Sequence, residues 1–186
     1  MKTNLNLMRW TFLLLLWTGA PRVYGAVDMF LKISGTTVVM GESQDPRHKD
    51  EIDLLAWSWG MSNSSRPQGG GGGAGKVSVQ DLSLTKWVDR STPALMEAVA
   101  SGRHFNEAVL IVRRPGNNPV EFLKITMKEV LVTSVATGAG TGDDRLKESV
   151  SLNFAEVEVE YVPVDEKGKP ETAIPFRWDI AGNSGG

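Results

Sequence analysis

The chain has 186 residues, of which 41% are hydrophobic and 23% charged, and it contains no cysteine. That composition suits one globular domain and excludes disulfides and thiolate metal sites. Its formal charge is −2, but Lys2, Arg9 and Arg22 lie in the first 25 residues, which hold no acid, and without them 17 basic residues face 22 acidic ones, a balance of −5 that argues against nucleic-acid binding by counterion release.

In chain order, residues 1–25 read as a targeting segment. Lys2 and Arg9 supply a positive start, Trp10 to Trp17 an apolar stretch, and Val23-Tyr24-Gly25 a cleavage site. A stretch this short is no membrane anchor, since a spanning helix needs about 20 apolar residues. The alternative is a start codon assigned too far upstream. From Asp28 the period is two: Met29, Leu31 and Ile33 alternate with Phe30, Lys32 and Ser34. In the next apolar ribbon Asp53, Leu55, Trp57 and Trp59 share one parity, the expected core side, and Ile52, Leu54, Ala56 and Ser58 share the other. Residues 60–76, rich in glycine and serine, predict a flexible connection.

The pairs Val77/Val79 and Leu82/Leu84 continue the alternation. Thr92 as cap, Pro93 at the first helical position, a stripe of Leu95, Met96 and Val99, and Gly102 at the end predict the one helix. Phe105–Arg113 and Val120–Val135 read as long strands joined by PGNNP. Val150, Leu152 and Phe154 are in phase, and Val157, Val159 and Tyr161 are in the opposite phase, which places a bulge or bend near Ala155. A turn at Glu166 to Lys169 leads to a last strand with Ile174, Phe176, Trp178 and Ile180 on one face. Many strands with one short helix predict a mainly β fold, a compact β-barrel or sandwich with the helix on its flank.

Little in this pattern suits catalysis. The spacing Gly70 to Gly75-Lys76 imitates a phosphate loop, but Val77 stands where a Ser or Thr should reach magnesium, and a strand follows where a helix should begin. His48 and His104 are the only histidines, and the sequence places no nucleophile beside either, so solvated or structural roles are expected. Glu156, Glu158 and Glu160 alternate on one strand face and read as a solvated acidic stripe, since nothing sets two carboxylates in different environments across a cleft. No enzyme, cofactor or metal is expected.

The blocks AVDMFLKI, GESQDPRHKDEID, WSWGMS, GGGGGAGKVSVQDLSLTKWVD, TPALMEAVASGRHF, EVLVTSV and VSLNFAEVEVEY occur in an order that resembles the haemolysin-coregulated protein (Hcp) family, across essentially all of residues 26–186. The resemblance implies a compact β-barrel with a flanking helix and an extended loop. It also implies a non-catalytic subunit of the type VI secretion tube: homo-hexameric rings, stacked and capped by a spike protein inside a contractile sheath, with small effector proteins in the lumen. By the same resemblance Glu42, Asp45, Arg47, Lys49, Asp50 and Glu51 belong to the loop that sets ring-to-ring register, and Ser58 turns toward the lumen. Such tubes assemble in the cytoplasm and leave by type VI secretion, whereas residues 1–25 read as a secretory signal unless translation starts near Val23 or Val27. The competing expectation is an exported β-barrel that binds a surface ligand with the same fold.

Overall fold

The computed structural model describes residues 26–63, 77–116, 118–142, 144–165 and 167–185. The leader-like segment and most of the glycine-rich connection lie outside them.

Six strands close a barrel in the order β2(Ile52–Ser58), β5(Leu82–Trp87), β8(Lys147–Asn153), β7(Val120–Gly138), β6(His104–Arg114) and β1(Asp28–Ser34), which pairs again with β2. Closure removes sheet edges within the barrel. At β7 the sheet divides, because its second half pairs with β8 from Leu131 to Gly138 and its first half with β9(Glu156–Tyr161) from Leu123 to Lys128. Beyond β9 lie β10(Ile174–Asp179) and the short β11(Ser184–Gly185), a flap attached to the barrel through β7. Between β2 and β5 the chain forms a small separate ribbon, β3(Met61–Asn63) against β4(Val77–Val79), at the two ends of the glycine-rich connection.

The corner expected near Ala155 is present. β8 ends at Asn153 and β9 begins at Glu156, and the Ala155 amide donates to the Lys128 carbonyl. Opposite this break, Glu129 adopts a left-handed conformation with φ 51°, so both strands turn together and the burial phase changes on each.

β2 corrects the expected parity. Ile52 and Leu54 are buried, while Asp53 and Leu55 are exposed, so the small-residue side supplies the core at the strand's start. A register shift between Leu54 and Ala56 then reverses the faces, and Trp57 and Trp59 pack against the core. The irregularity at Leu55 explains why no single alternation fits this ribbon: one extra residue exchanges the two sides.

The helix α1(Ser91–Ser101) begins one residue before the expected cap. Asp89 performs the local capping, its carboxylate accepting from the Ser91 amide at 2.9 Å. The C-terminus follows expectation, with Gly102 left-handed at φ 64° and Arg103 donating to the Ala98 carbonyl. The buried stripe is Ser91, Thr92, Leu95 and Ala98; Met96 and Val99, expected to pack, are exposed instead.

Two charged side chains lie on inward positions under the helix. Lys86 and Glu148 are each 1% exposed. The Lys86 ammonium reaches Glu148 and Asp89, both at 2.6 Å, and the Trp87 carbonyl at 2.8 Å. The Thr92 hydroxyl also donates to Glu148 at 2.8 Å. Buried charges are tolerated only when paired and hydrogen-bonded in this way, and the arrangement ties the helix start to β5 and β8.

Candidate functional site

The outward face of β2, β5, β8 and the second half of β7 carries small side chains in register. Ser58 lies opposite Ser83, Ser83 opposite Ser151, and Ser151 opposite Ser134. The adjacent rung runs Ala56, Thr85, Ser149, Ala136 in the same order. Ser58 therefore sits at one end of an eight-residue field of hydroxyls and methyls that bears no charge, with an open depression of about 300 Å³ at its centre. Serine and threonine hydroxyls both donate and accept, so the field wets without committing to one ligand charge. Sequence reasoning singled out Ser58 alone. The same signal was present in S-L-T of β5 and S-V-S of β8, where small polar residues occupy every outward position.

Each end of the field is marked. At one, Asp81 accepts from Thr133 at 2.7 Å and from Asn153 at 2.8 Å. At the other, Trp87 has the guanidinium of Arg145 4.7 Å and the ammonium of Lys147 5.4 Å from its ring centroid.

The segment 41–51 folds back on the barrel. Gly41 and Ser43 donate to the carbonyls of Asp50 and Glu51, and Asp50 donates to Ser43. A side chain at Gly41 would place a Cβ 2.2 Å from the Glu51 carbonyl oxygen, so this closure requires glycine. Of the six residues expected to form contacts between rings, four have partners within the chain. Asp45 pairs with Arg113, which also holds Asp28 at 2.9 Å. Glu51 meets His48 at 3.0 Å, Arg47 faces Glu121 at 3.8 Å, and Glu42 accepts from the Arg90 amide at 3.2 Å. The hydrogen bond from Arg113 holds the Asp45 carboxyl well below the usual carboxylate range, outweighing the opposing effect of desolvation. Lys49 is exposed on the loop surface, and Asp50 is half-buried at its turn with φ 60°.

The flap shows the third feature. Its outer face carries the acidic stripe, and each acid there has a cation: Glu160 with Lys124 at 2.9 Å, Glu156 with Lys128 at 3.4 Å, and Glu158 with Arg177 at 2.7 Å. The stripe expected to be simply solvated is a cross-strand ion-pair ladder. The other face continues the barrel core outward. Val157 and Trp178 pack on the core, but Tyr161, Ile174 and Phe176 are 44%, 60% and 41% exposed. Ile174 lies opposite Tyr161 and Phe176 opposite Val159, so the three exposed side chains share one face of the flap.

His104 begins β6 in an exposed position, and His48 is buried against Phe30. Among the described residues no group of three or more His, Cys, Asp or Glu is placed to hold a metal ion, and no helix is long and apolar enough to cross a membrane.

The described residues thus form a closed barrel with a hydroxyl wall, a lateral flap with an uncovered apolar face and a charged loop. Known proteins give the class directly. Residues 30–161 match the family model described as "Type VI secretion system effector, Hcp". The chain is 56% identical over 161 residues to Protein hcp1 of Pseudomonas aeruginosa strain PAO1, an alignment covering 85% of this chain and 98% of that one. Among solved structures, a type six secretion system protein superposes with a TM-score of 0.79 at 32% identity, over 87% of this chain and 100% of the other. Hcp1 from Salmonella typhimurium gives a TM-score of 0.69 at 33% identity, over 87% and 99% of the two chains. The chain belongs to the Hcp family of type VI secretion proteins, which is not an enzyme family.

Proposed function

We propose that residues 26–186 form the ring subunit of a type VI secretion inner tube: six copies close head to tail, rings stack inside a contractile sheath beneath a spike protein, and small effectors travel in the channel. The observation that carries this reading is the hydroxyl field. Four adjacent strands present eight small, uncharged side chains in two complete rungs, with nothing larger than threonine between Asp81 and Trp87. Such a surface keeps a channel wide and wet and lets dissimilar cargo slide.

The flap supports the same reading. Tyr161, Ile174 and Phe176 remain exposed among the described residues, and a heterologous contact with the next copy would cover them and propagate around a ring. Glu42, Asp45, Arg47, Lys49, Asp50 and Glu51 then form the ring-to-ring loop. The exposed ones meet the neighbour, and the internally paired ones hold the loop in shape. Charged contacts of this sort set register and reject wrong partners.

The test is the mass and appearance of the purified protein by sedimentation and electron microscopy. Six-subunit rings with an open centre are expected. A monomer that persists at high concentration would overturn the proposal.

A further inference from the structure

The outward face of the wall continues past the hydroxyl field at both ends, and the two rims carry opposite charge. From Asp81 to Trp87 the outward parity runs Asp81, Ser83, Thr85, Trp87. Beside it, in β8, the outward parity runs Asn153, Ser151, Ser149, Lys147, antiparallel and in register, with Trp87 directly opposite Lys147. An acid therefore stands at one rim and a cation at the other on the same face, about 20 Å apart along the strands.

Both rims are held in position by neighbours that leave their charge unmatched. The Asp81 carboxylate accepts from the Thr133 hydroxyl with one oxygen and from the Asn153 amide with the other, at 2.7 and 2.8 Å. Both donors are neutral, and each oxygen keeps a second lone pair. At the other rim the Arg145 guanidinium and the Lys147 ammonium stand 4.7 and 5.4 Å from the Trp87 ring centroid, so the indole orients two cations without neutralising them. Glu148, next in sequence to Lys147, points inward to Lys86 instead. Among the described residues no ion pair joins Asp81, Arg145 or Lys147 to an opposite charge, whereas the acids of the flap stripe are all matched.

We propose that the two rims recognise each other between copies: Asp81 of one subunit meets Arg145 and Lys147 of the subunit stacked on it, and this pairing sets the polarity of stacking. The inference rests on the tube reading given above and adds residues outside loop 41–51 to the contact between rings. Stacked head to tail, every junction brings an acidic rim against a cationic one. Stacked head to head, it brings like charges together, and that repulsion recurs at every subunit around the ring. A single exposed pair is weak, but a ring repeats it at each subunit, and the first contacts made hold the others within reach. The uncharged rungs of successive rings are then separated by one band of matched charge.

The experiment is a charge swap in the whole protein, read as ring mass by sedimentation and tube length by electron microscopy, at low and at high salt. Tubes of the unmodified protein are expected to shorten at high salt, which screens exposed pairs. Arg145→Glu combined with Lys147→Glu should leave rings intact and shorten tubes about tenfold, the effect of about 1.4 kcal/mol summed over one junction. Asp81→Lys should do the same, and the three substitutions together should restore tubes, because each junction then pairs the same charges in reverse. Should Asp81→Lys form no rings, Asp81→Asn still offers partners to Thr133 and Asn153 and is expected to shorten tubes and remove their salt dependence. Tubes of unchanged length in the Arg145→Glu, Lys147→Glu protein would overturn the pairing. So would a ring-forming triple variant with tubes no longer than those of the double variant, or an unchanged salt dependence in Asp81→Asn. An unmodified protein that forms no rings would remove the tube reading and the pairing with it; tubes that form but ignore the swap would remove the pairing alone.

Discussion

The hydroxyl wall and the flap are sheets of similar alternation with opposite treatment of their free faces. On the wall, every outward position between Asp81 and Trp87 in β5 is Ser or Thr, and the inward positions Leu82, Leu84, Val150 and Leu152 are fully covered. On the flap, the outward positions are bulky and charged but matched in pairs, and the inward positions run out of barrel to pack on at Tyr161, Ile174 and Phe176. The wall is thus finished toward water, and the flap is unfinished until another surface arrives. Burial within one chain separates the two faces more sharply than hydropathy does.

The largest effect is expected from removing the buried support beneath the wall. Glu148→Ala leaves Lys86 buried without one of its two carboxylate partners and should cost about 3–5 kcal/mol of stability, read as a shifted denaturant midpoint. A loss below about 1 kcal/mol would mean that the pair is not what holds α1 to β5 and β8. Next in size, Phe176→Asp should abolish ring formation by sedimentation and leave the monomer's circular dichroism intact. If the variant still forms rings, the flap is not the ring contact. On the wall, Ser83→Trp should leave rings intact and reduce co-purification of small effectors, and undiminished cargo would separate the hydroxyl field from transport.

The smallest effect concerns the ladder. The hydrogen bond from Arg177 holds the Glu158 carboxyl below its ordinary range, against the opposing effect of desolvation. Its stabilisation is therefore present above the unfolded carboxylate range and lost as pH falls through the depressed value. Arg177→Ala should remove that part of the acid sensitivity and little else, because exposed pairs contribute little. A large stability loss at neutral pH would show that the ladder matters more than its exposure implies.

Strand alternation made the barrel strands, the turn at PGNNP and the corner near Ala155 legible in advance, because each is a local pattern. The bulge at Leu55 was not legible: Leu54 and Leu55 are chemically the same, and only cross-strand register shows which of them enters the core. The helix stripe failed for a related reason. Thr92 and Ser91 are buried through the Lys86 and Glu148 network, so polar residues occupy the packed side and Met96 and Val99 are displaced outward. At the candidate site, Ser58 was readable on its strand, but the rungs that join it to Ser83, Ser151 and Ser134 exist only once four distant segments pair. The loop's charges were visible in sequence, whereas their partners Arg113 and Glu121 lie on strands more than sixty residues away.

Enclosure of the hydroxyl field in a channel can be tested directly because the sequence has no native cysteine. Ser83→Cys would be treated, in assembled protein and in dissociated subunits, with a small maleimide and with the same group on a bulky polymer. The small reagent is expected to react in both states and the bulky one only after dissociation. Equal reaction of the bulky reagent with the assembled particle would place the wall on the outside and contradict it.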